Sequence, residues 1–170
     1  MPDAERVLLR HVLETADEAI PAAAREAARV FVLDTLAVGI AGTAHDDRPG
    51  VLAAARRWGA GAEAAVWGDA VRLPAAQAAF VNAFQAHALE FDAIHEQAVV
   101  HAMTPTLAAA LAEAERQGAV SGTCLVSAVV FGLDLACPIG AASRGTMRFF
   151  RPATAGMFGA YGAVARLRGF

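Results

Sequence analysis

"AAAREAARVFVLDTLAVGIAG", residues 22–42, is the stretch whose period decides the fold class. Ala27, Val30, Phe31, Asp34, Val38 and Ala41 recur at steps of three or four, the repeat of a helix laid against a core. Pro21 stands where a first turn accepts proline, and Gly42 stands where a helix ends.

The same period extends outward in both directions. Residues 4–15 place Val7, Leu8, His11 and Val12 at helical spacing. "TAHDDRPG" (43–50) reads as a turn-rich loop, followed by a short helix over 51–58. "GAGAEAAVWGDAVRL" (59–73) is broken by glycines and holds a brief extended segment. Pro74 opens a long helical pattern through about His95, and a loop over 96–103 breaks it. Thr104-Pro105 supplies an N-cap and a first-turn proline for a helix to Gly118. Ser121 begins the most buried helix, which Pro138 must kink or end. "GAASRGTMRFFRP" (140–152) is loop-like, and a last apolar helix covers 154–168. There is no βαβ rhythm, internal repeat or low-complexity linker, so residues 1–170 read as one all-α domain, a helical bundle.

Composition agrees. The 170 residues are 56% hydrophobic and only 18% charged. That exceeds a typical soluble domain, so either the helices pack closely or an apolar face meets a partner. The net charge is -3 with no basic stripe, which argues against nucleic acid. All 14 basic residues are arginine, which excludes a lysine Schiff base or lysine general base within this chain. Cys124 and Cys137 are too far apart for a CxxC motif and are expected to be buried, inert thiols, in keeping with a reducing cytosol. The charged start "MPDAERVLLRH" has no signal-peptide core. "AVSGTCLVSAVVFGLDLA" (119–136) is interrupted by Ser, Gly, Thr and Asp and reads as a buried helix, not a membrane span. A cytoplasmic protein without a membrane partner is expected. The chain closes at Arg168-Gly169-Phe170 directly after an apolar helix, and is expected to belong to, or complete, something larger.

Chemistry concentrates in "HALEFDAIHEQAVVHAMTP" (87–105), which holds three of the five histidines and the carboxylates of Glu90, Asp92 and Glu96. If the helix continues to His95, then His87, Glu90, Phe91 and Ile94 share one side. Asp92 and His95 then touch, the carboxylate orienting the imidazole and raising its basicity. His101 arrives from the following loop. The alternative is a solvated helix end, where histidine complements the dipole. His95-Glu96 with His101 does not make the HExxH pattern, so no metal site is expected. Ser121, Ser127 and Ser143 show no nucleophile elbow, and "GAGAEAAVWG" is not a phosphate loop. The glycines of "TAGMFGAYGAVA" (154–165) fall at helical intervals and suit close helix packing.

Four blocks occur in order: "VLDTLAVGIAG" (32–42), "AAVWGDAVRLPAAQAAFVNAFQAHALEFDAIHE" (64–96), "TPTLAAALAEAE" (104–115) and "RPATAGMFGAYGAVARLRG" (151–169). Together they resemble the N-terminal helical domain of the MmgE/PrpD family, which includes 2-methylcitrate dehydratase, cis-aconitate decarboxylase and iminodisuccinate epimerase. The resemblance implies an all-α domain, here without the family's α+β lid domain. It also implies metal-free and cofactor-free proton transfer on small polyacids, and dimerisation.

Carried over by position, the family's acidic helix end, Asp-Phe-Asp-Asp-Thr, reads Glu90-Phe91-Asp92-Ala93-Ile94. An acid and a hydroxyl are lost at Ala93 and Ile94. The family's histidine-proline step is His101-Ala102. A second family histidine corresponds to Arg151, which can pair with a carboxylate but cannot act as a base. A family lysine and a lid tyrosine fall beyond Phe170. The resemblance and the helical spacing together give His101, Asp92, Glu90 and His95 as catalytic candidates. Arg151, Ile94 and Thr104 are the substrate-binding candidates. The expected function is a lyase or isomerase, or half of one, acting on a small carboxylate-bearing or less polar substrate. Its partners would be a twin or a lid-bearing chain. The alternative is a non-catalytic helical subunit that stabilises or regulates a full-length relative.

Overall fold

The computed structural model describes residues 3–143 and 150–170. Seven α-helices are present among them: α1 (Ala4–Glu14), α2 (Ala22–Ala41), α3 (Arg48–Arg57), α4 (Ala75–His87), α5 (Met103–Gln117), α6 (Gly122–Ala142) and α7 (Arg151–Arg168). A two-residue antiparallel hairpin, β1 (Ala64–Ala65) with β2 (Arg72–Leu73), is the brief extended segment. The all-α reading is correct.

α5 is the central helix. It meets α2, α4, α6, α7 and β1, and buries residues on every side, from Met103 through Leu107 and Ala110 to Ala114. Its neighbours approach closely because the facing residues are small. Ala78, Ala86, Ala128, Ala136 and Ala163 are all inaccessible to solvent. Much of the apolar excess is therefore an alanine interior, in which short side chains let the helices pack closely. α6 and α7 approach closely. A Cβ placed on Gly132 would lie 2.7 Å from the Gly159 carbonyl oxygen, so neither helix tolerates a side chain there. The glycines of α7 serve packing, as their spacing predicts.

Polar side chains fasten the hairpin to α4. Asn82 Oδ1 accepts from Trp67 N at 2.9 Å, and its Nδ2 donates to the Ala65 carbonyl at 3.0 Å. Gln85, fully buried, donates to the carbonyls of Gly39 and Trp67. These bonds satisfy backbone groups that burial would otherwise leave unpaired.

Several expectations are corrected. α2 does not turn the predicted stripe inward. Ala27, Val30, Phe31, Asp34 and Ala41 are exposed, while Ala28, Thr35 and Gly39 are buried, with Val32 and Leu36 packed on the core. Apolar residues line α2 nearly all round, so size decides the inner face. A Cβ on Gly39 would meet the Trp67 ring at 2.6 Å. α4 ends at His87, eight residues before His95. α3 begins inside the predicted turn, at Arg48. α6 runs through Pro138 to Ala142. Cys124 is exposed in the first turn of α6, not buried. Cys137 is partly buried among apolar groups, and burial pushes its thiol pKa up, away from reactivity. Of the predicted loop 140–152, residues 140–142 belong to α6 and 151–152 to α7, and residues 144–149 lie outside the described residues.

Two helical stretches, Ala22–Ala44 and Gly122–Ala142, are long and apolar enough to cross a membrane by length and composition. Half of the second is buried inside the bundle, as suits a core helix.

Candidate active site

The candidate residues gather where α4 stops. Ala88 N bonds back to the Phe84 carbonyl, and Glu90 takes a left-handed backbone (φ 55°), which swings the chain out of helical register. The segment 88–102 then folds on itself. His95 and Val100 form an isolated bridge, N–H to carbonyl in both directions, around a second left-handed residue, Val99 (φ 52°). Ala98 and Val100 plug this loop into the core against Ala136 and Ala155. His101 is thereby delivered to the start of α5.

At the centre is Asp92, whose side chain is fully buried. Its Oδ1 lies 3.0 Å from His87 Nδ1, and its Oδ2 lies 3.2 Å from His101 Nδ1. The Thr104 hydroxyl donates to Oδ2 as well. A carboxylate has no hydrogen to give, so both imidazoles carry theirs on Nδ1. The His101 Nδ1 hydrogen is shared with the Asp92 carbonyl at 3.3 Å. Each ring is thus held by Nδ1, and its Nε2 is left for other partners. The two rings meet edge to face with centroids 4.8 Å apart. Glu90, with its carboxylate largely in solvent, reaches within 3.5 Å of His87 Nε2.

Both imidazoles line a cavity of about 450 Å³. Its walls are Phe80, Phe84, Pro105, Phe150 and Pro152, with alanines between them, and its polar edge is His45, His87, Glu90, His101 and Thr104. His45 stands edge-on to Phe84 at 5.6 Å.

The expected residues are distributed unevenly. Asp92, His101, Glu90 and Thr104 converge. Thr104 lies within the first turn of α5 and bonds Asp92 instead of capping the helix. His95 does not meet Asp92: it is exposed, and its Nδ1 accepts from Ala98 N at 3.1 Å, holding the loop closed. The pairing expected at i,i+3 requires a helix that has already ended. Ile94 is half exposed and Arg151 directs its Nη2 to the Ser143 carbonyl at 3.3 Å; neither lines the cavity. Two cavity histidines were missed as site residues. His87 pairs with Asp92 at a separation of five, legible only once the end of α4 is known. His45 comes from the turn before α3, and nothing in its local sequence marks it.

One group could hold a cation. His87, Asp92 and His101 offer three ligand atoms within 4.8 Å of one another. Two imidazole nitrogens and a carboxylate suit a borderline transition metal. The same atoms are bonded to each other here, so a metal would displace those hydrogens.

The fold and this corner define an α-helical domain carrying a buried carboxylate–imidazole cluster at a helix end. Residues 6–170 match the family model of the MmgE/PrpD N-terminal domain, and the chain belongs to that family. No curated protein matches the chain.

Proposed function

We propose that the chain is a lyase- or isomerase-type enzyme, or the helical half of one, that moves a proton on a small substrate in this cavity. The observation supporting it is the buried carboxylate of Asp92 holding two cavity-lining imidazoles by Nδ1. Buried ionised groups are costly unless they are fully hydrogen-bonded, and this one is placed where a cation would form during catalysis. In this reading His101 Nε2 takes a proton from a carbon next to a carbonyl or carboxylate. Asp92 stabilises the resulting imidazolium. The proton returns to another carbon in an isomerisation, or a β-hydroxyl leaves with a proton from His87 in a dehydration. Glu90 supports His87 in its protonated form, and Thr104 positions Asp92. Neither a metal nor a cofactor is needed for these steps.

The substrate would be a small carboxylate-bearing or less polar molecule. The protein partner would be a second copy or a lid-bearing chain, and a cytoplasmic location is the accompanying expectation. Val30, Leu33 and Ile40, exposed on α2, support a covered face.

The test is proton exchange. The chain is incubated in heavy water with a panel of small hydroxy and oxo acids, and substrate C–H signals are followed by NMR. Loss of a C–H signal with the native chain, absent with His101→Ala, is the expected result. Undiminished exchange by His101→Ala removes the histidine from the mechanism.

A further inference from the structure

We infer that the cavity takes a substrate with an aromatic or alicyclic body and no more than one carboxylate, not a polycarboxylate. The inference rests on the proposed proton-transfer reading for the position of the reacting carbon, but its own support is the wall chemistry. Phe80, Phe84, Phe150, Pro105 and Pro152 face the space. Phe80 and Phe150 remain 45% and 65% exposed, so apolar area is left for a ligand to cover. Phe80 is held from behind by Trp58, with ring centroids 4.9 Å apart, which gives a preformed aromatic edge.

Charge points the same way. The cavity's polar edge carries the Glu90 carboxylate, and Asp92 lies directly behind the imidazoles. No guanidinium lines the space among the described residues. Arg48, three residues from His45, is committed to Asp69 at 2.6 Å and Gln85 at 3.3 Å. A second or third carboxylate would enter beside two acidic side chains, Glu90 and Asp92, with no guanidinium among the described residues to pair with it. One carboxylate can be met by a protonated imidazole. A cavity of about 450 Å³ accommodates a single-ring acid with room to spare.

The experiment is calorimetric titration of the full chain with 3-phenylpropanoate, carrying a ring and one carboxylate, and with tricarballylate, carrying three carboxylates and no ring. Saturable binding of 3-phenylpropanoate is expected, at least about tenfold tighter than tricarballylate. Phe80→Ala should weaken it by about tenfold, and Phe80→Leu by less, because an apolar wall is kept. Tighter binding of tricarballylate, no binding of 3-phenylpropanoate, or equal binding by a folded Phe80→Ala would overturn the inference. Titration reads the walls without turnover. Failed binding with intact deuterium exchange sinks only this inference, and intact binding without exchange sinks only the proton-transfer reading.

Discussion

His87 and Asp92 are five residues apart, a separation that no continuous helix brings together, yet His87 Nδ1 lies 3.0 Å from Asp92 Oδ1. The contact exists because α4 stops at His87 and the left-handed turn at Glu90 folds the chain back. Asp92→Asn tests what the contact does. An amide nitrogen would face donors from His87, His101 or Thr104 and leave one unpaired. A cost of about 2 kcal/mol in stability is expected by denaturant unfolding. Any proton-transfer activity should fall by about 100-fold or more, because neither imidazole is held in its tautomer. Activity within twofold of native would show that Asp92 is structural only.

Glu113 has a different burden. Its side chain is buried at the end of the core, and it accepts from Arg116, Arg168 and Gln117. The Arg116 hydrogen bond, then those of Arg168 and Gln117, hold its carboxyl far below the ordinary glutamate range. A depressed folded-state pKa contributes stability that is fully present above the unfolded value. That stability is lost as pH falls from about 4.3 toward the lower folded value. Unfolding midpoints should therefore drop through this acid window, and Glu113→Gln should flatten that part of the profile. The same variant should cost about 2 kcal/mol at neutral pH, since two guanidinium groups then face a neutral amide.

Gly42 and Gly118 separate crowding from backbone strain. A Cβ on Gly42 would stand 1.9 Å from the Gln85 carbonyl oxygen, although its own backbone suits any residue. Gly118 has open space around it but a left-handed backbone, φ 75°. Gly42→Ala should cost about 3 kcal/mol or more through displaced backbone, and Gly118→Ala about 1 kcal/mol through conformation alone. Equal losses in thermal denaturation would contradict this assignment.

Arg166 ties the ends of the chain together. From α7 it donates to the carbonyls of Val12, Leu13 and Thr15 at the end of α1 and to Asp17, while its guanidinium covers the Phe131 ring at 4.5 Å. These carbonyls have no partner within α1. Arg166→Met should release the α1 C-terminus, lowering stability by about 2 kcal/mol and speeding amide exchange in α1 more than elsewhere. Uniform acceleration across all helices would count against a local tie.

The helices were legible in the sequence because their caps are local. Pro21, Gly42, Pro74, Ser121 and Gly118 mark ends within a residue or two of the observed ones. The end of α4 was not legible. Ala88 and Leu89 are good helix formers, and the chain leaves the helix to bury Asp92, Ala98 and Val100, a gain realised only in tertiary structure. The inner face of α2 was illegible for a similar reason. Its apolar residues nearly encircle it, and the choice depends on the Trp67 ring coming from a different element. Of the site, Asp92, His101, Glu90 and Thr104 were visible by position. His87 and His45 were hidden because their roles depend on where backbones turn, not on spacing within one helix.

The short bridge between His95 and Val100 has a reach beyond its own loop. Val100 and Ala98 sit against Gly140 of α6, where an added Cβ would be 2.6 Å from Val100 Cγ2 and 3.0 Å from Ala98 Cβ. His101 is the next residue along. A single methyl group on the face of α6 that meets this loop would thus act as a lever, displacing an imidazole it never touches. The chemistry of the cavity is calibrated from behind by the thickness of a helix at one glycine.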